Sequence, residues 1–186
     1  LLMGARQVGK TTAIKVFADK YFQSTAFFNF EKQPDIHELF EHNKEPHRLI
    51  KNLSLIHGQT ITQGTLIVFD EIQECRDALI SLKYFNEDAG GYSIIGAGSL
   101  LGLTLSENIS FPVGKVEFLD LYPLIFSEFL ETVDKKLYDA YAYYYQVATI
   151  QKVPDVFFNA LLDRFQQYIV SGGMPEVCKS VIQNKE

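Results

Sequence analysis

The sequence predicts an α/β domain built on a parallel sheet, and three observations carry that prediction. Short apolar runs suited to strands alternate with helix-spaced segments, the pattern left by right-handed crossovers between parallel strands. Leu1-Leu2-Met3 leads straight into a glycine-punctuated loop and then a helical stretch. Residues Thr65 to Phe69 (Thr-Leu-Ile-Val-Phe) are apolar almost throughout, as in a strand covered on both faces, and end in Asp70-Glu71.

Taken in order, Leu1 to Met3 reads as the end of a first strand whose beginning is missing, so the chain is expected to be a fragment. Gly4 to Thr12 is a loop. Ala13 to Tyr21 has helical spacing, which puts Ile14, Phe17, Ala18 and Tyr21 on one face. Thr25 to Phe30 suits a strand, and Pro34 to His57, interrupted by Pro46, suits two helices. After the Thr65 strand come a helix over Arg76 to Glu87, a buried strand over Tyr92 to Ala97 and a fifth strand over Lys115 to Leu119. From Pro123 onward only helical patterns remain: one around Phe126, Phe129 and Leu130, then Leu137 to Ile150 and Val156 to Val170. A last helical pattern runs from Val177 to Glu186. The expected division is an α/β core over residues 1–122 and a helical lid, opening a C-terminal region, over 123–186.

The 186 residues carry a net charge of −6, which argues against a dedicated nucleic-acid binder, whose footprint is usually basic. Two cysteines, Cys75 and Cys178, are too few for a disulfide framework and fit reduced thiols in the cytoplasm. No run of 18 apolar residues exists to span a membrane.

Gly4-Ala5-Arg6-Gln7-Val8-Gly9-Lys10-Thr11 matches the phosphate-loop pattern G-x-x-x-x-G-K-[ST] without departure. Its glycines let the chain fold back so that successive N–H groups point at a β-phosphate, and the following helix offers its positive end to the same anion. Lys10 suits the β- and γ-phosphates, the Thr11 hydroxyl suits Mg²⁺, and Thr12 suits the α-phosphate. Asp70, at the carboxyl end of a neighbouring strand, suits a hold on Mg²⁺ through its water. Glu71 suits the general base that polarises an attacking water. Ser99, after the next strand, suits either a hydrogen bond to the γ-phosphate or lytic water, or the cap of a following helix. A nucleoside triphosphate and Mg²⁺ are therefore the expected ligands, and the resemblance below implies ATP.

These pieces resemble the predicted bacterial and archaeal ATPases of the AAA+ superfamily that carry an uncharacterised C-terminal domain. The matching residues are the loop through Thr12, Asn29-Phe30-Glu31, Phe69-Asp70-Glu71-Ile72-Gln73, Gly98-Ser99-Leu100-Leu101 and Phe111-Pro112-Val113-Gly114-Lys115-Val116. Leu121-Tyr122-Pro123-Leu124, Phe126-Ser127-Glu128-Phe129-Leu130 and Gly172-Gly173-Met174-Pro175-Glu176-Val177 continue the likeness. The resemblance implies a three-layer P-loop NTPase sandwich of strand order 5-1-4-3-2, with a helical lid begun after it. It also implies an arginine where Lys115 stands, a candidate γ-phosphate sensor; lysine keeps the charge without the planar fork. The family's C-terminal domain is not expected within this chain.

The expected function is hydrolysis of Mg-ATP coupled to conformational change. The alternative is a nucleotide-dependent switch with little turnover, reading a protein or nucleic-acid partner; a homo-oligomer, ring or dimer, fits either. Asp70-Glu71-Ile72-Gln73 resembles the D-E-x-Q of some helicases, but the next strand lacks their Gly-Asp…Gln and no second motor fits. Asn43-Lys44-Glu45-Pro46 lacks the aspartate of a guanine reader. His37, His42 and His47 recur every five residues, which spreads them around a helix rather than onto a metal. Ser171-Gly172-Gly173-Met174 suits a helix end and turn. Tyr138, Tyr141 and Tyr145 at helical spacing suit core or an interface, and Arg6, Arg76 and Arg164 are possible fingers into a neighbouring site.

Overall fold

The computed structural model describes residues 1–99, 114–146 and 151–183. Leu100, Leu101, Phe111-Pro112-Val113 and the last residues of the expected helix to Ile150 lie outside them. The chain forms two compact units, Leu1–Leu121 and Tyr122–Glu186.

The first unit contains β1 (Leu2–Met3), α1 (Lys10–Tyr21), β2 (Ser24–Asn29), α2 (Glu38–Glu41), α3 (Pro46–His57), β3 (Thr65–Asp70), α4 (Arg76–Asp88), β4 (Ser93–Gly98) and β5 (Leu119–Asp120). All pairings are parallel and the order is β2-β3-β4-β1-β5, the expected 5-1-4-3-2 read from the other edge. One row of partners crosses the sheet: Asn29, Asp70, Ala97, Leu2 and Leu119.

β3 is buried along its whole length, and its side chains divide by the strand period of two. Ile67 and Phe69 join Ala26, Phe28, Phe40, Leu49, Leu53 and Leu79 on one face. Leu66 and Val68 meet Ile14 and Ala18 of α1 on the other, which makes the unit three-layered. Phe69 is the hub of the first cluster, with ring centroids of Phe28, Phe30, Phe40 and Phe85 5.5–6.3 Å away.

Several expectations are corrected here. On α1 only Ile14 and Ala18 of the expected face are buried; Phe17 and Tyr21 stand in solvent, 5.0 Å from each other, because the helix meets the sheet along a narrow stripe. The Pro34 segment is a 3₁₀ turn (Pro34–His37) running into α2, so the two expected helices are one short and one long piece. α3 starts at Pro46 because the Glu45 carboxylate accepts from the backbone N–H of His47 and Arg48, and it stops at Gly58, whose φ of 77° suits glycine. His37, His42 and His47 therefore sit on three different pieces.

The fifth strand is later than expected. Within the described stretch from Lys115 onward, Leu119 and Asp120 are the residues paired with β1, tied by Leu119 N–H to Leu1 O and Leu121 N–H to Met3 O. Lys115 turns to Glu87 near the end of α4, at 3.6 Å. Because α4 leads from the carboxyl end of β3 to the start of β4, that pair lies at the opposite edge of the sheet from Asp70. A lysine there does not reach phosphates bound at the strand ends of its own chain.

In the second unit, α5 (Phe126–Val133), α6 (Lys135–Gln146), α7 (Asp155–Ser171) and α8 (Pro175–Gln183) follow one another. Phe129 and Leu130 are buried, and Phe126 stands edge-on to Phe165 of α7 at 5.2 Å. α7 ends at Gly172 (φ 69°), the expected helix end. Arg164 is committed to Asp134 at 3.1 Å. Leu137 is the buried residue of α6; Tyr138 and Tyr141 are half-buried, Tyr141 edge-on to Phe126 of α5 at 6.2 Å, while Tyr145 is exposed and stacks on Tyr141 at 5.8 Å. Among the described residues no helix is long and apolar enough to cross a membrane.

Replacing the hub tests this packing. Phe69→Ala is expected to cost about 3–5 kcal/mol in denaturant unfolding of the chain. Phe17→Ser, at an exposed site, is expected to stay within about 0.5 kcal/mol of the parent.

Candidate active site at the strand ends

The loop after β1 is shaped by what fits beside β5. Gly4 has φ 153°, and a Cβ on it would lie 2.3 Å from the Leu121 carbonyl oxygen, so only glycine is accommodated. Gln7 (φ 64°) and Gly9 (φ 101°) then turn the chain through left-handed conformations. Ala5, Arg6 and Gln7 are exposed while Val8 is buried and anchors the loop from beneath. Gly9 stands at the cap position of α1 with no side-chain cap, which leaves the N–H groups of the first turn open toward an anion.

Lys10 arches back over this loop. The residue is buried, and its ammonium donates to Gly4 O at 2.7 Å and Ala5 O at 2.9 Å. Burial pulls its pKa below the usual lysine value, against the opposing pull of Glu71 and then Asp70. Thr11 is half-buried and Thr12 is exposed. Arg6 reaches toward Glu31 at 4.0 Å, both side chains largely in solvent.

Asp70 ends β3 directly opposite Asn29, whose side-chain amide donates to Asp70 Oδ2 at 3.0 Å. Burial holds the Asp70 carboxyl above the usual aspartate range, with the Asn29 bond pulling it down. Glu71 leaves the strand with φ 49°, an uncommon conformation for a side chain of this size, and Gln73 Nε2 donates to its Oε2 at 2.7 Å. Ser99 follows β4, two residues past Ala97, which is paired with both Asp70 and Leu2. Its Oγ is buried and has no hydrogen-bond partner among the described residues. The loop from Gly4 to Thr11, Asp70, Glu71 and Ser99 thus share one edge of the sheet. Asn29 and Gln73 join them; both lie inside the motifs named above, but nothing in the sequence alone assigns either a role.

A family model for an AAA domain matches residues 1–130. The chain belongs to that family, the AAA+ P-loop ATPases. Among solved structures, the ORC1 protein of Aeropyrum pernix, in complex with DNA, is 16% identical over 100% of this chain and 59% of its own, with a TM-score of 0.42. The ORC2 protein of the same organism, in ADPNP–ADP complexes, is 13% identical over 98% of this chain and 61% of its own, also at 0.42. The chain therefore spans about three-fifths of each. No curated protein matches it.

In this AAA domain the donor set suits a hard cation held jointly with a phosphate. The Thr11 hydroxyl is an oxygen donor and the Asp70 carboxylate can accept from a metal-bound water, which leaves most of an octahedral shell to water and phosphate, as Mg²⁺ prefers. Among the described residues no cluster of three or more His, Cys, Asp or Glu forms a self-sufficient metal site.

Holding Asp70 in this place costs stability, with a definite pH dependence. A carboxyl whose pKa rises on folding binds its proton more tightly in the folded chain, so ionising it weakens folding as pH climbs from its unfolded pKa through its raised one. Asp70→Asn is therefore expected to raise Tm at pH 7 and to match the parent near pH ~3, where both states are protonated. Each kcal/mol regained corresponds to about 2–4 °C at this size, read by thermal unfolding across pH.

Proposed function

We propose that this chain binds Mg-ATP at the loop Gly4–Thr11 and hydrolyses it by attack of water on the γ-phosphate. The observation that supports this most is the buried Lys10, whose ammonium is held by two carbonyls of its own loop while Glu71 and Asp70 act on it electrostatically. An arriving phosphate offers that cation stronger, charge-assisted partners than the carbonyls it leaves.

In this reading the loop N–H groups and the open end of α1 take the β-phosphate, Lys10 bridges to the γ-phosphate, and Thr12 supports the α-phosphate. Thr11 and Asp70 would hold Mg²⁺, which would supply positive charge to offset that of the phosphates. Glu71 accepts the proton of the attacking water, and Ser99, whose hydroxyl has no hydrogen-bond partner among the described residues, orients that water or the γ-phosphate. The bond from phosphorus to the departing ADP oxygen breaks as the new one forms. Guanine selectivity has no support: Glu45, in the segment nearest a guanine motif, is spent capping α3.

A second reading, the nucleotide-dependent switch for a protein or nucleic-acid partner, draws on α7, which buries none of its residues and exposes Val156, Phe158, Ile169 and Val170. The two readings part on turnover. Lys10→Ala is expected to abolish Mg-ATP binding by calorimetry. Glu71→Gln is expected to keep binding but lose phosphate release by about 10²–10⁴-fold. Tight binding by the parent with no release above background would instead favour the switch.

A further inference from the structure

The residues Asp70-Glu71-Ile72-Gln73 leave Gln73 unexplained by the proposed reaction. Its amide nitrogen lies between two carboxylates, 2.7 Å from Glu71 Oε2 and 3.4 Å from Glu74 Oε1. Its amide oxygen is buried with no hydrogen-bond partner among the described residues. Reversing the amide would set that oxygen against both carboxylates, so the orientation is imposed by them. The turn that carries Gln73 is anchored on both sides. Ile72 is fully buried, and Glu74 N–H and Cys75 N–H donate to Glu71 O and Ile72 O at 3.0 and 3.1 Å. Glu71 itself sits in a left-handed conformation that needs support from its surroundings.

We infer that Gln73 is a positioning residue for the Glu71 carboxylate, its amide fixing Oε2 so that Oε1 is presented to the attacking water. This rests on the hydrolysis reading above. The neighbouring turn, rather than the strand, then sets the direction of the base. The buried Phe69 before Asp70 and the buried Ile72 after Glu71 keep the pair from rotating as a unit, and the Gln73 bond removes the remaining side-chain freedom. A shift of the base by even 1 Å matters, since misplacement of that size costs about 10²-fold in rate.

The test measures steady-state phosphate release from Mg-ATP by the full chain and its Glu71→Gln, Gln73→Met, Gln73→Glu and Glu71→Gln/Gln73→Met variants. Gln73→Met keeps the bulk and loses the donor. It is expected to lower kcat about 10- to 100-fold while KM stays within about twofold. Added to Glu71→Gln it should cost nothing further, because residues acting as a unit are not additive. Gln73→Glu, which sets a third carboxylate against Glu71, should lose kcat in the same way and serves if Gln73→Met fails to fold. Gln73 variants at the parental kcat beside an inactive Glu71→Gln would overturn this inference alone. So would a loss that adds in full to that of Glu71→Gln, or one that appears equally in KM and in Tm. A parent without turnover, or a Glu71→Gln chain as fast as the parent, would bring down the hydrolysis reading and this inference with it.

Discussion

All five strands run the same way, and one row of paired residues crosses them: Asn29, Asp70, Ala97, Leu2 and Leu119. A parallel register admits no slip here, because a shift of one residue on β3 would exchange its two buried faces. That constraint places every strand's carboxyl end at one level. The loop after Met3, the carboxylate of Asp70 and the hydroxyl of Ser99 become neighbours although they are about 60 and 30 residues apart in sequence. The glycine at position 4 follows from the same arrangement, since β5 brings the Leu121 carbonyl to where any side chain would be.

The polar edge is held by an apolar interior that begins one residue away. Phe69 precedes Asp70 and Ile72 follows Glu71, both without solvent exposure, so the two carboxylates are bracketed by fixed points. Phe28 and Phe30 flank Asn29 in the same manner and meet Phe69 ring to ring. Rigid elements of this kind keep polar groups within the tolerance that chemistry needs. The expense shows in the groups themselves: Asp70 is made harder to ionise and Lys10 easier to deprotonate by the burial that orients them. Such tension between stability and site geometry is common where a site is organised before its ligand arrives.

The sheet and the phosphate loop were legible in the sequence because their signals are local. A strand buried on both faces must be apolar throughout, and β3 is. The left-handed turns of the loop demand glycine at Gly4 and Gly9, and spacing alone marks them. Other features were decided by contacts between distant segments. Periodicity could not say that α1 meets the sheet along only Ile14 and Ala18, since Phe17 and Tyr21 are equally apolar. Nor could it say that Tyr141 meets Phe126 while Tyr145 is left exposed, or that pairing near β5 starts at Leu119 rather than Lys115.

The same division runs through the site. By itself the sequence determined the residue types of the phosphate loop and of the Asp70-Glu71 pair, because their chemistry needs those side chains at that spacing. Only tertiary structure decided which groups steady them. Asn29 reaches Asp70 because β2 and β3 pair in that register, and Gln73 reaches Glu71 because the chain turns left-handed after the strand. Lys115 was removed from the site in the same way, by a crossover that carries α4 and Glu87 to the far edge of the sheet. A hydrogen bond depends on position to a few tenths of an ångström. Such positions are set by packing across the whole sheet, which no local pattern of residues records.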